Sequence, residues 1–208
     1  MYLLNNINFN EDQLDALREF VNIALGDATA NVAELLSAFA TMHVPTIDIC
    51  SNDELIPKIE AELNGVSKYY VTKQLFTGKF GGECMFIMKD SSAKNLGDYL
   101  YDDVSPSEDD IYDAVIELTN ILCSTIISRL TEELGTQVQF FVPCAHCVNK
   151  KHIIEYEDIK HYHKIIIIST ILDFKDQKIN GCIYILTKDE ALDSLKKLID
   201  NKLEELLA

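Results

Sequence analysis

Residues 10–40 and 105–134 alternate apolar and polar positions with a period between three and four, and each predicts a long amphipathic helix. Asn10 with Gln13 three places on is a good helix start, and Ser105-Pro106-Ser107-Glu108 combines a capping box with a proline in the first helical position. Gly135 predicts a left-handed stop for the second helix. Each helix runs into an extended stretch around a proline, at residues 44–50 and 142–148. The first half continues with a short helix at 54–63, strands at 68–76 and 83–88, and a helix at 92–101. The second half offers a polar loop at 149–162, strands at 164–174 and 182–186, and a last helix at 187–207 opened by Thr187 and Glu190. Gly81-Gly82 and Asn180-Gly181 predict hairpin turns.

The two halves carry the same polar residues at the same spacing. Asp113, Glu117, Asn120 and Pro143 each stand 98 residues after Asp15, Glu19, Asn22 and Pro45. The same offset lays Cys182-Ile183-Tyr184-Ile185-Leu186 over Cys84-Met85-Phe86-Ile87-Met88. This pattern is read as a tandem repeat with halves 10–102 and 105–207. Short strands joined by hairpins and interleaved with helices predict an α+β fold, a largely antiparallel sheet packed by the two long helices. With no Pro-, Gly- or Ser-rich linker between the halves, residues 1–208 are expected to form one domain with a pseudo-two-fold axis.

At 100° per residue, Asp15, Glu19 and Asn22 fall within about 60° of one another on the first helix. Leu17, Phe20, Val21, Ala24 and Ala28 lie on the other side and predict the face packed on the sheet. Asp113, Glu117 and Asn120 stand in the same way opposite Val115, Leu118, Leu122 and Ile126. A polar stripe is ordinarily a solvated face. Asparagine, however, is a poor mid-helix residue, and a solubilising Glu or Lys would avoid its propensity cost, so an outward amide held twice points to a use for the amide.

Charge and composition narrow the classes. Thirty-four acidic and 18 basic residues give a net charge of −16, which counts against nucleic acid and anionic lipid as partners. The apolar fraction of 48% supplies a sizeable core. The longest run of branched apolar residues, 165–168, is far short of a membrane span, so no membrane insertion and a cytoplasmic location are expected. Six cysteines are too few for a disulfide scaffold and are expected to be reduced and mostly buried. Cys144-Ala145-His146-Cys147, with His152, His161 and His163 downstream, invites a metal reading. A strand would turn residues three apart to opposite faces, so no metal site is predicted.

The doubled pattern Asp-x3-Glu-x2-Asn-x22-Pro resembles the active-site signature of the CheC, CheX and FliY phosphatases of bacterial chemotaxis. Residues 14–45 resemble a first CheC site region and residues 114–143 a second. The presence of both is closer to two-site CheC-like proteins than to one-site CheX. The resemblance implies hydrolysis of the aspartyl phosphate on a CheY-type response regulator. By that analogy Glu19 and Glu117 pair with the regulator's lysine, and Asn22 and Asn120 orient the attacking water. Asp15 and Asp113 would support the motif, and Pro45 and Pro143 would fix the turn from helix to strand. Mg²⁺ would be supplied by the regulator, with no cofactor bound by this chain. A CheD-like deamidase, the flagellar switch or a response regulator is the partner of an alternative, non-catalytic binding module. A hydrolase using metal bound to the paired carboxylates is a third reading. The chain departs from the family at Val21 and Thr119, where Gly commonly precedes the Asn; bulk there would affect how closely a partner approaches.

Overall fold

The structure is a computed structural model and describes residues 8–63, 68–101, 105–155, 159–160 and 163–207. The elements run α1 (Glu11–Leu35), β1 (Thr41–Met42), β2 (Thr46–Cys50), α2 (Asn52–Glu62), β3 (Tyr69–Gly78), β4 (Gly82–Lys89) and α3 (Asp90–Tyr101). They continue with α4 (Glu108–Glu133), β5 (Val138–Phe140), β6 (Cys144–Val148), a 3₁₀ turn at Lys150–His152, β7 (Ile165–Phe174), β8 (Ile179–Lys188) and a final helix, α5 (Glu190–Leu207). The predicted α+β class holds: every strand pair is antiparallel.

The sheet order is β1-β7-β8-β4-β3-β5, with β2 also on β7 and β6 also on β3. Each edge is thus one strand broken in two, β1 with β2 and β5 with β6. Between the pieces the register shifts by one residue, which is a bulge at residues 43–45 and at 141–143. Pro45 and Pro143 sit in these bulges, where no ladder N–H is required, rather than at the turn leaving the helix.

The order of strands and long helices recurs, with a 3₁₀ turn at the place of α2, but the offset of 98 does not survive the whole chain. Cys50 faces Ile165 as Val148 faces Tyr69, so Ile165 takes the place of Tyr69, 96 residues on. The hairpin ladders then match Lys89 with Lys188, 99 residues on. Ile183, not Cys182, is therefore the counterpart of Cys84. An offset wrong by one residue moves a side chain to the opposite face of a strand. Cys84 indeed lies in the core beneath α1 and α4, while Cys182 packs against the core on the other face.

Helices α1, α3, α4 and α5 cover one face of the sheet with Leu17, Val21, Ala24, Leu118, Leu122 and Ile126 among the buried residues. On the other face Leu55 and Ile59 of α2, together with Ile153, Ile154 and Ile159, form part of a second core. The stretch expected to be a polar loop therefore buries three isoleucines. His161 and Tyr162, read within that loop, lie outside the described residues, and His163 is exposed. Helix α4 is long and apolar enough to cross a bilayer by composition, but half of that stretch is buried inside the fold, against α1, α3 and the sheet.

Several local signals resolve differently from the expectation. Asn10 and Gln13 do form a reciprocal capping box. The cap of α4 is Ser107 with Asp110, two residues later than predicted, which leaves Pro106 outside the helix. Thr187 belongs to β8 rather than to a cap of α5. Asn180-Gly181 lies inside β8, and the hairpin turns at 175–178. Gly181 answers to packing: a Cβ there would come within 2.5 Å of the Phe86 ring. Cys84 and Cys123 are joined by a disulfide, so two of the six expected thiols are not free; Cys50, Cys144, Cys147 and Cys182 are.

Candidate functional site

The amphipathic period of α1 and α4 turns the two motifs outward. Asp15, Glu19 and Asn22 are exposed on α1, and Asp113, Glu117 and Asn120 on α4. Beneath them Leu17, Val21, Val115 and Leu118 are buried. Val21 and Thr119, the departures beside each Asn, are wholly buried and turned into the core, so their bulk does not stand between the amide and an approaching partner. Thr119 also satisfies its hydroxyl internally, Oγ1 donating to the Val115 carbonyl at 2.6 Å.

Around Asn120 three elements meet. Gln74 of β3, 1% exposed, donates from Nε2 to Asn120 Oδ1 at 2.9 Å and to the Phe141 carbonyl at 3.2 Å. Phe141 N–H in turn donates to the Leu75 carbonyl at 3.0 Å, pinning the bulge to β3. Val142 at the crest of the bulge is 90% exposed, with Phe141 beside it also open. Tyr101, at the end of α3, stands in the field of Asp113 and Glu117; burial first, then these carboxylates and Asp110, push its hydroxyl pKa up.

Around Asn22 the frame is the same and the contacts differ. One step beyond the Lys73–Cys144 pair, Gln74 lies opposite Pro143; one step beyond the Ser169–Thr46 pair, Thr170 lies opposite Pro45. Thr170 Oγ1 donates to the His43 carbonyl at 2.6 Å, as Gln74 does to Phe141, but nothing on β7 reaches the Asn22 amide. Val44 is 84% exposed at the crest of this bulge, and Pro45 is buried. Asp15 pairs with Arg18 one turn along, not with Glu19.

The two sites are separate. Asp27 pairs with Arg129, and Asn31 Nδ2 donates to Thr125 Oγ1 at 3.1 Å, so α1 and α4 lie antiparallel. Asn22 is then level with the C-terminal end of α4 and Asn120 with that of α1, about 20 Å apart along the pair at 1.5 Å per residue. Each site is an acidic helix stripe beside an exposed apolar crest, open to a surface as broad as a protein.

Among the described residues no group of three or more His, Cys, Asp or Glu is placed to hold a metal ion. Cys144 is exposed on one face of β6 while Cys147 packs toward the core on the other, as a strand requires. Sequence reasoning missed two parts of the site. Gln74 gave no signal, because a lone glutamine in an apolar strand reads as a solvent-facing residue. The bulge crests did leave one: a valine directly precedes each motif proline, Val44-Pro45 and Val142-Pro143.

No protein-family model matches the chain. The chain is 28% identical to the CheY-P phosphatase CheC of Bacillus subtilis over 149 residues, 69% of each protein. Its fold is similar to that of Thermotoga maritima FliY, with a TM-score of 0.71 at 14% identity over 94% of this chain and all of that one. It is also similar to the chemotaxis protein CheX of Vibrio vulnificus, with a TM-score of 0.55 at 17% identity over 81% of this chain and 99% of that one. Beside the doubled Asp-Glu-Asn stripe, the chain is thus similar in sequence to CheC over two thirds of its length and shares the fold of FliY and CheX.

Proposed function

We propose that this protein hydrolyses the aspartyl phosphate of a CheY-type response regulator at two sites, one on α1 and one on α4. The observation that carries the reading is the pairing, twice, of an exposed Glu and an exposed Asn one turn apart on a helix whose other face is locked into the sheet. A carboxylate is poorly suited to face a phosphoryl group but well suited to a lysine, so Glu19 and Glu117 dock the regulator's active-site lysine. Asn22 and Asn120 are neutral and can both donate and accept, so they orient water in line with the phosphorus without adding negative charge. The water oxygen bonds to phosphorus as the bond to the aspartyl oxygen breaks, releasing inorganic phosphate and restoring the regulator's carboxylate. Mg²⁺ would be held by the regulator's own phosphorylation site and would supply charge neutralisation there. The contribution of this chain is position, which suits a reaction whose catalysis is chiefly placement and electrostatics.

The decisive experiment follows the decay of a phosphorylated CheY-type regulator with the protein and with Asn22→Ala/Asn120→Ala. Acceleration by the first and none by the second, with unchanged circular dichroism, is the expected result. No acceleration despite measurable binding would overturn it in favour of a non-catalytic module. That second reading draws on the Asn120 side-chain carbonyl, one of whose lone pairs is already engaged by Gln74. A CheD-like deamidase or the flagellar switch would then be the partner to test.

A further inference from the structure

We infer that Gln74 is a positioning residue that fixes which end of the Asn120 amide faces outward, and that Asn22 has no such device; the catalytic consequence rests on the phosphatase reading above. The Phe141 backbone carbonyl is the one group in this chain of contacts that cannot change roles. Phe141 O only accepts, so the Gln74 atom facing it at 3.2 Å must be the amide nitrogen. The same nitrogen faces Asn120 at 2.9 Å, so Asn120 must turn its oxygen inward and its NH₂ outward. Flipping Asn120 would set two NH₂ groups against each other. Flipping Gln74 would set its oxygen against two oxygens. Gln74 itself is held in place by burial and by its two Nε2 hydrogen bonds, while its enclosed Oε1 finds no partner among the described residues. A buried polar atom left unpaired is costly, and its retention is explained if the other end of the amide has a task.

At the first site the equivalent residue is Thr170. Its hydroxyl satisfies the His43 carbonyl just as Gln74 satisfies Phe141, but its side chain ends there. The bulge therefore needs only a threonine; the longer glutamine is needed only for reaching the asparagine. The Asn22 amide makes no hydrogen bond to the described residues and remains free to rotate. Asn120 is thus ordered on folding, before any regulator arrives, whereas Asn22 is ordered on binding.

The test uses Gln74→Thr, which copies the arrangement the fold already accepts at Thr170. It keeps the donor to Phe141 and removes only the contact to Asn120. Side-chain ¹⁵N relaxation of the two amides in the whole protein is the primary readout. The expected result is a restricted Asn120 NH₂ beside a mobile Asn22 NH₂, with Asn120 becoming as mobile as Asn22 in Gln74→Thr. Equal mobility of the two amides in the unsubstituted protein, or an Asn120 still restricted in the variant, would overturn the inference. If Gln74→Thr does not fold, the comparison within the unsubstituted protein and the isosteric Gln74→Met decide it by the same criterion. In an Asn22→Ala background, Gln74→Thr should lower maximal turnover of the phosphorylated regulator about 3- to 10-fold with the half-saturating concentration unchanged; a purely structural defect would move stability and binding together. If the unsubstituted protein does not accelerate decay at all, the phosphatase reading falls, while amide relaxation still decides the role of Gln74.

Discussion

Single residues show where chain geometry has been settled and where it has been tolerated. Both long helices close with the same reverse turn, Ala38 N–H donating to the Ala33 carbonyl and Thr136 N–H to that of Thr131. The left-handed position is Gly135 (φ 63°) after α4 and Ser37 (φ 44°) after α1. A side chain in that region costs about 1 kcal/mol that glycine avoids. Ser37→Gly should therefore raise the unfolding free energy by up to about 1 kcal/mol and Gly135→Ala lower it by a similar amount, both read from urea midpoints at unchanged slope. Gly135 was legible in the sequence because glycine announces this conformation; Ser37 was not, because serine does not. The same contrast holds at the site. Asn22 and Asn120 stood out as poor helix formers on an otherwise regular stripe. Gln74 did not, because its meaning lies in a contact between strand, helix and bulge that no local period encodes.

Among elements, the bulges set the exposed apolar positions nearest the two stripes. A single inserted residue in each edge strand lifts Val44 and Val142 beside the motif helices, where neither helps the core. Val44→Asp with Val142→Asp should leave thermal stability unchanged and weaken binding of a phosphorylated regulator several-fold by calorimetry, since exposed apolar crests beside charged stripes are where partners gain contact area. The caps allow a prediction in pH. Ser107 donates to Asp110 from both its hydroxyl and its N–H, hydroxyl bond first, and holds that carboxyl below its ordinary 3.8. A depressed folded-state pKa contributes stability that is complete above the unfolded value and is lost as pH falls through the folded one. Asp110→Asn should accordingly flatten the dependence of stability on pH below about 4, in acid titrations followed by circular dichroism. Helices and strands were mostly legible in the sequence to within a few residues, because their periods are local. Asn180-Gly181 and Thr187 misled for a common reason: both are good local signals overridden by a ten-residue strand paired along its length with β7.

At the scale of the molecule, the edge strands cross between halves. β1 and β2, from the first half, pair with β7 of the second; β5 and β6, from the second, pair with β3 of the first. A disulfide from Cys84 to Cys123 adds a covalent tie between β4 of the first half and α4 of the second. We propose that the chain unfolds as one unit, with coincident transitions by fluorescence and circular dichroism. Four thiols should react in the denatured, unreduced protein. Reduction should lower stability by about 4 kcal/mol, the loop entropy of a closure spanning 39 residues.

The exchange of edge strands has a consequence for what half of this molecule is worth. Asn120 comes from the second half and Gln74, on which it rests, from the first; Asn22 comes from the first half and Thr170, which pins its bulge, from the second. With the Cys84–Cys123 disulfide reduced, a chain severed between α3 and α4 would yield two pieces that are complements and not copies, each with the roof of one workshop and the floor of the other. Neither piece owns a site, and only their reunion would restore either one.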